Sequence, residues 1–172
     1  EGVNNPYLGR PNAPVVIVEF VDFRCPNCKT AAPILKEVAA KYGYGIKILH
    51  RDFPAESLHP GTTELSRVAR CADRQDRFWK MHDILFEYQA DLQQALSDDD
   101  RKTLADLAGI DYVQLMTCLA DTSIDDAIRK DYLDGMAYGV AGTPTFFING
   151  QKVEGVVPFE TWQRYLDQVV KK

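Results

Sequence analysis

Two cysteines three residues apart, Cys25-Pro-Asn-Cys28, stand where an apolar run meets a helical stretch. Thiols at this spacing share one helix face and can close a small disulfide. The preceding run, Val15 to Val21, is almost wholly apolar and β-branched, which reads as a buried strand. Pro26 falls on the first helical position, the one proline prefers. Cys25 then sits at the positive end of the helix dipole, where a thiolate is favoured over a thiol. A thiolate is the nucleophile of disulfide exchange, so the pair reads as redox-active. The competing reading is half of a zinc site, which needs a second CxxC or a Cys/His pair at ligand spacing. Cys71 and Cys118 stand alone, and His50, His59 and His82 form no close pair in the sequence, so no metal is expected.

The elements that position this pair follow from periodicity. Residues 1–14, rich in Asn, Pro and Gly, read as an extended lead-in. A strand at about 15–21 leads into a helix from Cys25 to about Lys41. Ala31, Ile34, Leu35, Val38 and Ala39 form its apolar face, and Pro33 inside it is expected to kink it. Tyr42-Gly-Tyr-Gly45 breaks the helix, and Ile46 to His50 reads as a second strand reached by a right-handed crossover. Residues 60–139 carry helical stripes instead: Leu65, Val68, Ala69 and Ala72; Phe78, Met81, His82 and Leu85; Leu104, Leu107 and Ala108; Leu115, Cys118 and Leu119; Ile124, Ala127, Ile128 and Met136. Ser97 and Asp111 read as helix caps, Gly109 as a helix end, and Ser123-Ile-Asp-Asp126 as a capping-box variant. Thr145 to Ile148 is a strand, Asn149-Gly150 a hairpin turn, and Gln151 to Val153 the return. Pro158 opens a last helix with Phe159, Trp162, Leu166 and Val169 on one face.

With 172 residues, 45% apolar and 26% charged, the chain suits one soluble domain with an inserted subdomain. A net charge of −5 without a basic cluster argues against nucleic-acid binding. No apolar run approaches membrane-spanning length and no signal peptide opens the chain. It begins abruptly at Glu1, which leaves room for a removed export signal or anchor. Asp98-Asp-Asp100 reads as a solvated helix start.

Three segments, Val18 to Cys28, Phe78 to Phe86 and Gly142 to Gly150, together with the element order, resemble the DsbA-like thiol-disulfide oxidoreductases of the thioredoxin superfamily. The resemblance runs from about residue 12 onward. It implies an α/β thioredoxin fold, βαβ … ββα, with an inserted all-helical subdomain. Residues 12–59 and 140–172 would form the thioredoxin-like domain, 60–139 the helical insert and 1–11 the lead-in. It also implies that Cys25 is the attacking cysteine and Cys28 the resolving one. Thr143-Pro144 would be a cis-proline site packed on the redox pair, with the Thr143 backbone open to a substrate strand. Pro26 and Asn27 would complete the substrate contact. Glu19, six residues before Cys25, matches a buried acid that exchanges protons with Cys28, the alternative being an edge position reaching solvent. Some members join helices corresponding to those of Cys71 and Cys118 by a structural disulfide; two buried free thiols are the alternative.

The function so implied is the introduction of disulfides into reduced or unfolded exported proteins, outside the cytoplasm, by a monomer without a cofactor. A membrane thiol oxidase would reoxidise it. Asn27 departs from the histidine of the type oxidase, and threonine before the proline also occurs in isomerase-like relatives, so a reductase or isomerase is the alternative direction. A thioredoxin-fold chaperone with a structural CxxC, and a kappa-type glutathione transferase, are alternatives of other classes. Phe23, Phe53 and Pro54 are expected at an exposed apolar contact surface. His50, at a strand end, could influence thiol acidity; His59 is expected to serve local geometry, His82 to be a satisfied core histidine, and Trp79 and Trp162 to pack.

Overall fold

Val15–Val21 forms the central strand, β2, of a five-stranded sheet in the computed structural model, which describes residues 5–170. β3 (Ile46–Asp52) runs parallel beside it, Val15 facing Ile46 and Val21 facing Asp52. The connection is α1 (Pro26–Tyr42), which continues through Pro33 without a break, and a short 3-10 turn at Gly43–Gly45. On the other side of β2 lies β4 (Thr145–Ile148), antiparallel. Asn149 and Gly150 both take positive φ, 48° and 89°, and turn the chain into β5 (Gln151–Glu154). Five helices intervene between β3 and β4: α2 (Thr62–Asp73), α3 (Phe78–Glu87), α4 (Asp98–Ala108), α5 (Tyr112–Leu119) and α6 (Ser123–Ala137). α7 (Phe159–Val169) closes the fold with Pro158 at its N-cap. This is the expected thioredoxin arrangement with a helical insert.

The lead-in is more than extended chain. Tyr7–Gly9 forms an edge strand, β1, antiparallel to β3. Gly9 has φ +95°, and a Cβ there would lie 2.2 Å from the Ile46 carbonyl oxygen, so the close approach requires glycine. Three residues are too few to show a period-two pattern. Residues 1–4 of that expected segment lie outside the described residues, as do the last two of the expected 140–172 segment.

Side chains alternate across β2 and β3, and each face has its own helices. Val15, Ile17, Ile46 and Ile48 pack against Ala31, Leu35 and Val38 of α1 and against Trp162 and Leu166 of α7. Full burial of each such Val, Leu or Ile side chain contributes roughly 1.5–3 kcal/mol. Phe20, Phe53 and Val140 pack on the opposite face with Tyr132 of α6. A third cluster fills the insert through Leu65, Val68, Met81, Leu85, Leu104 and Leu115, and reaches Val21, Phe23 and Cys28. The cysteine pair therefore lies on the seam between sheet and insert. A buried ionic chain fastens the same seam: Arg70 of α2 pairs with Asp52 of β3 at 2.7 Å and with Asp131 of α6, and Arg51 pairs with Asp131 at 2.6 Å and with Asp134.

Several local expectations change. Phe23 is fully buried, stacked near His50 and Phe86, and Phe53 packs on Phe20 and Tyr132, so neither is exposed. Both rings sit where the strand ends enter the insert, which covers them. Ser123 is the first residue of α6 and forms no capping box; its N–H donates instead to Asp121 Oδ1 at 2.9 Å. Ser97 does form a capping box with Asp100, and Asp111 caps α5 through Gln114 N–H. Leu107 and Met136 are exposed because α4 buries only the Leu104, Ala105 and Ala108 face and α6 the Ile124, Ile128 and Gly135 face.

Candidate active site

Cys25 is the N-cap of α1, with extended backbone (φ −73°, ψ 122°), and Pro26 follows in the first turn. Cys25 and Cys28 are both free and buried, Cys25 6% and Cys28 1% exposed. The turn is fixed by Asp22, a wholly buried residue at the end of β2. Its carbonyl accepts from Cys25 N–H at 3.1 Å. Its carboxylate accepts from Arg24 N–H (2.7 Å), the Thr62 hydroxyl (2.6 Å) and Ala55 N–H (2.8 Å), and lies 3.0 Å from His59 Nδ1. Gln89, just past α3, donates its side-chain amide to the carbonyls of Phe23 (2.8 Å) and Cys25 (3.0 Å). Neither residue belongs to the expected site. Asp22 lies in the run that carries the motif but shows no partner there, and a lone glutamine after a helix carries no sequence signal.

The two thiols differ electrostatically. The hydrogen bond from Cys28 is the chief reason Cys25 falls from 9.0 to about 5. Burial opposes that shift, and contacts from Thr143 and the backbone amides of Cys28 and Asn27 assist it. Burial pushes Cys28 well above 9.0, and its hydrogen bond to Cys25 and the Cys25 charge push it the same way. Asn27 thus contributes through its backbone. Thr143 comes from the loop before β4, and its carbonyl oxygen lies 3.3 Å from Cys25 Sγ. The Thr143-Pro144 peptide is cis.

Glu19 is buried, 2% exposed, and not at a solvent-reaching edge. Alternation along β2 puts it on the Ile17 face, the side that carries α1. Its carboxylate lies 3.3 Å from His50 Nδ1 and 3.8 Å from His82 Nε2. The structure so gathers two histidines that sequence spacing kept apart. Burial alone would lower the His50 value, but Asp52, by charge and hydrogen bond, and then Glu19 raise it to about 9. Trp162 is a core residue and Trp79 packs between clusters. Cys71 and Cys118 form a disulfide joining α2 to α5, Cα atoms 5.7 Å apart.

A nucleophilic thiolate, a buried partner thiol and an adjacent backbone carbonyl from a distant loop can perform dithiol–disulfide exchange. Comparison with known proteins bears on the family and the fold. A family model described as thioredoxin matches residues 1–168. The Na+/H+ antiporter NhaA 1 of Mycolicibacterium gilvum is 33% identical over 147 residues, covering 86% of this chain and 24% of the antiporter. The chain therefore spans about a quarter of the length of the curated relatives it matches. The thiol-disulfide exchange protein alpha-DsbA2 from Wolbachia pipientis superposes with TM-score 0.85 at 22% identity, over 97% of this chain and 88% of that one. Oxidised BdbD from Bacillus subtilis superposes with TM-score 0.76 at 25% identity, over 98% and 94%.

Proposed function

The chain belongs to the thioredoxin family, and from that premise we propose that it is a DsbA-like thiol-disulfide oxidoreductase that introduces disulfides into exported proteins. The observation that carries this reading is the acidic Cys25 beside a Cys28 held as a thiol. In the oxidised protein a substrate thiolate attacks Cys25 Sγ, the Cys25–Cys28 bond breaks, and its electron pair leaves on Cys28, which takes a proton. The mixed disulfide is then attacked at the substrate sulfur by a second substrate thiolate, releasing Cys25 as a thiolate. Two electrons pass from substrate to protein. Stabilising that thiolate favours the reduced protein and makes the pair an oxidant.

Thr143 is the residue we assign to pairing with the substrate backbone, since its carbonyl already lies against Cys25 Sγ. Pro144, Pro26 and Asn27 would border the same spot. Glu19 is the acid we assign to proton exchange with Cys28; its burial on the α1 side of the sheet supports this. The substrate chain would lie along a cleft of ≈ 810 Å3 lined by Pro54, Leu58, Tyr132, Met136, Val140 and Ala141. Ala141 is followed directly by the Gly142-Thr143 segment. The Cys71–Cys118 disulfide supports an oxidising, extracytoplasmic setting. Reoxidation would fall to a membrane thiol oxidase. The deciding measurement equilibrates the protein with glutathione buffers and counts alkylated thiols by mass. A reduction potential well above the glutathione couple is expected; one near thioredoxin's would make the protein a reductase.

A further inference from the structure

We propose that Glu19, His50 and His82 form a buried site for one Zn2+-class divalent cation, with Asp52 and Asp83 orienting the two imidazoles. The three residues come from β2, β3 and α3, and one ligand atom of each lies within 4.8 Å of the others. Glu19 Oε1 is 3.3 Å from His50 Nδ1 and 3.8 Å from His82 Nε2. Donors about 2.0–2.2 Å from a tetrahedral zinc lie at roughly such separations from one another. All three residues are at least nine-tenths buried.

The second observation is His82 itself. Its Nε2 is buried, points at the Glu19 carboxylate, and has no hydrogen-bond partner among the described residues. A buried ring nitrogen left unpaired is costly, and a cation between it and the carboxylate removes that cost. The outer shell is also in place. His50 Nε2 lies 3.2 Å from Asp52 Oδ1, and His82 Nδ1 lies 3.3 Å from Asp83 Oδ1. Each imidazole can thus donate its far N–H to a carboxylate while its near nitrogen faces Glu19, the usual arrangement around metal-bound histidine. Two imidazoles and one carboxylate suit Zn2+ and its neighbours, and leave a further position open.

A cavity of ≈ 200 Å3 borders His82 and Asp83 and is lined also by Leu35, Lys36, Trp79 and Lys80. A cation held by the Glu19 carboxylate and proton exchange at Glu19 exclude each other. The site does not depend on the thiol chemistry, and oxidised protein separates the two.

The test uses the protein with Cys25 and Cys28 joined, so that neither offers a thiolate. Zn2+ uptake is measured by equilibrium dialysis and elemental analysis, and Co2+ by visible absorption. The expected result is about one ion per chain, with cobalt bands of nitrogen and oxygen ligation and no thiolate charge-transfer band. His82→Ala should weaken uptake by about tenfold or more, and the gentler Asp83→Asn by about tenfold, both with an unchanged circular-dichroism spectrum. Wild-type protein that takes up no Zn2+ overturns the proposal without recourse to any variant. Uptake that His82→Ala leaves unchanged overturns it too, by placing the ion elsewhere.

Discussion

Cys25 Sγ lies 3.3 Å from the carbonyl oxygen of Thr143, a residue 118 positions further along the chain. The contact joins the start of α1 to the loop that feeds β4. In the function proposed above, the sulfur that would accept a substrate is thereby set beside the backbone assigned to pair with it.

Thiol acidity is the first consequence. Rapid alkylation and ultraviolet thiolate absorbance should both titrate Cys25 near pH 5. Cys28→Ala removes the hydrogen bond that contributes most, so the midpoint should climb toward 9.0. Cys28→Ser keeps an O–H donor and should climb less. An unchanged midpoint in Cys28→Ala would show that the donor is not Cys28.

The same shift fixes a pH dependence of stability. The folded-state value of Cys25 lies below its unfolded value, so its contribution is complete above about pH 9 and is lost as pH falls through about 5. Between pH 7 and pH 5 the reduced protein should lose about 2–3 kcal/mol relative to the oxidised protein. Urea unfolding of both redox forms at the two pH values measures the difference, which cancels contributions common to both. No difference between the forms would count against the assigned acidity.

The Cys71–Cys118 disulfide closes a loop with a sequence separation of 47. Its chain-entropy contribution is about 4 kcal/mol, and engineered losses often measure less. The Cys71→Ala/Cys118→Ala double variant should lose about 2–4 kcal/mol in denaturant unfolding and leave the Cys25 titration in place. Movement of that titration would show that the insert's cross-link also shapes the thiol environment.

Gln89 satisfies two carbonyls at the α1 entrance. Gln89→Leu leaves both without that donor and should cost about 1–3 kcal/mol. Thermal unfolding reports the loss. A variant as stable as wild type would mean that water replaces the amide.

Leu58 and Met136 are 75% and 53% exposed and line the large cleft near the 142–144 loop. Leu58→Asp and Met136→Asp should slow oxidation of a reduced, unfolded protein while leaving oxidation of a small dithiol unchanged. Equal slowing of both would place the effect on the thiol pair and not on substrate docking. Stability should change little, because both side chains are largely in solvent.

The sequence by itself determined the local elements that carry the thiol pair. An apolar β-branched run, a proline at the first helical position and Asn-Gly at a hairpin are preferences of neighbouring residues, so Val15–Val21, Pro26 and Asn149-Gly150 were legible without any partner. The resemblance to DsbA-like proteins likewise singled out the cysteines, Thr143-Pro144, which the structure places beside Cys25, and Glu19, which it buries; their roles are proposals. Tertiary structure decided what depends on distance through space. Phe23 and Phe53 look like exposed aromatics until the insert covers them. β1 exists only because β3 offers an edge. Asp22 and Gln89 act through partners tens of residues away, and His50 and His82 meet Glu19 only when β2, β3 and α3 pack together. Burial, hydrogen bonding and charge depend on which side chains become neighbours, and periodicity along one segment does not contain that information.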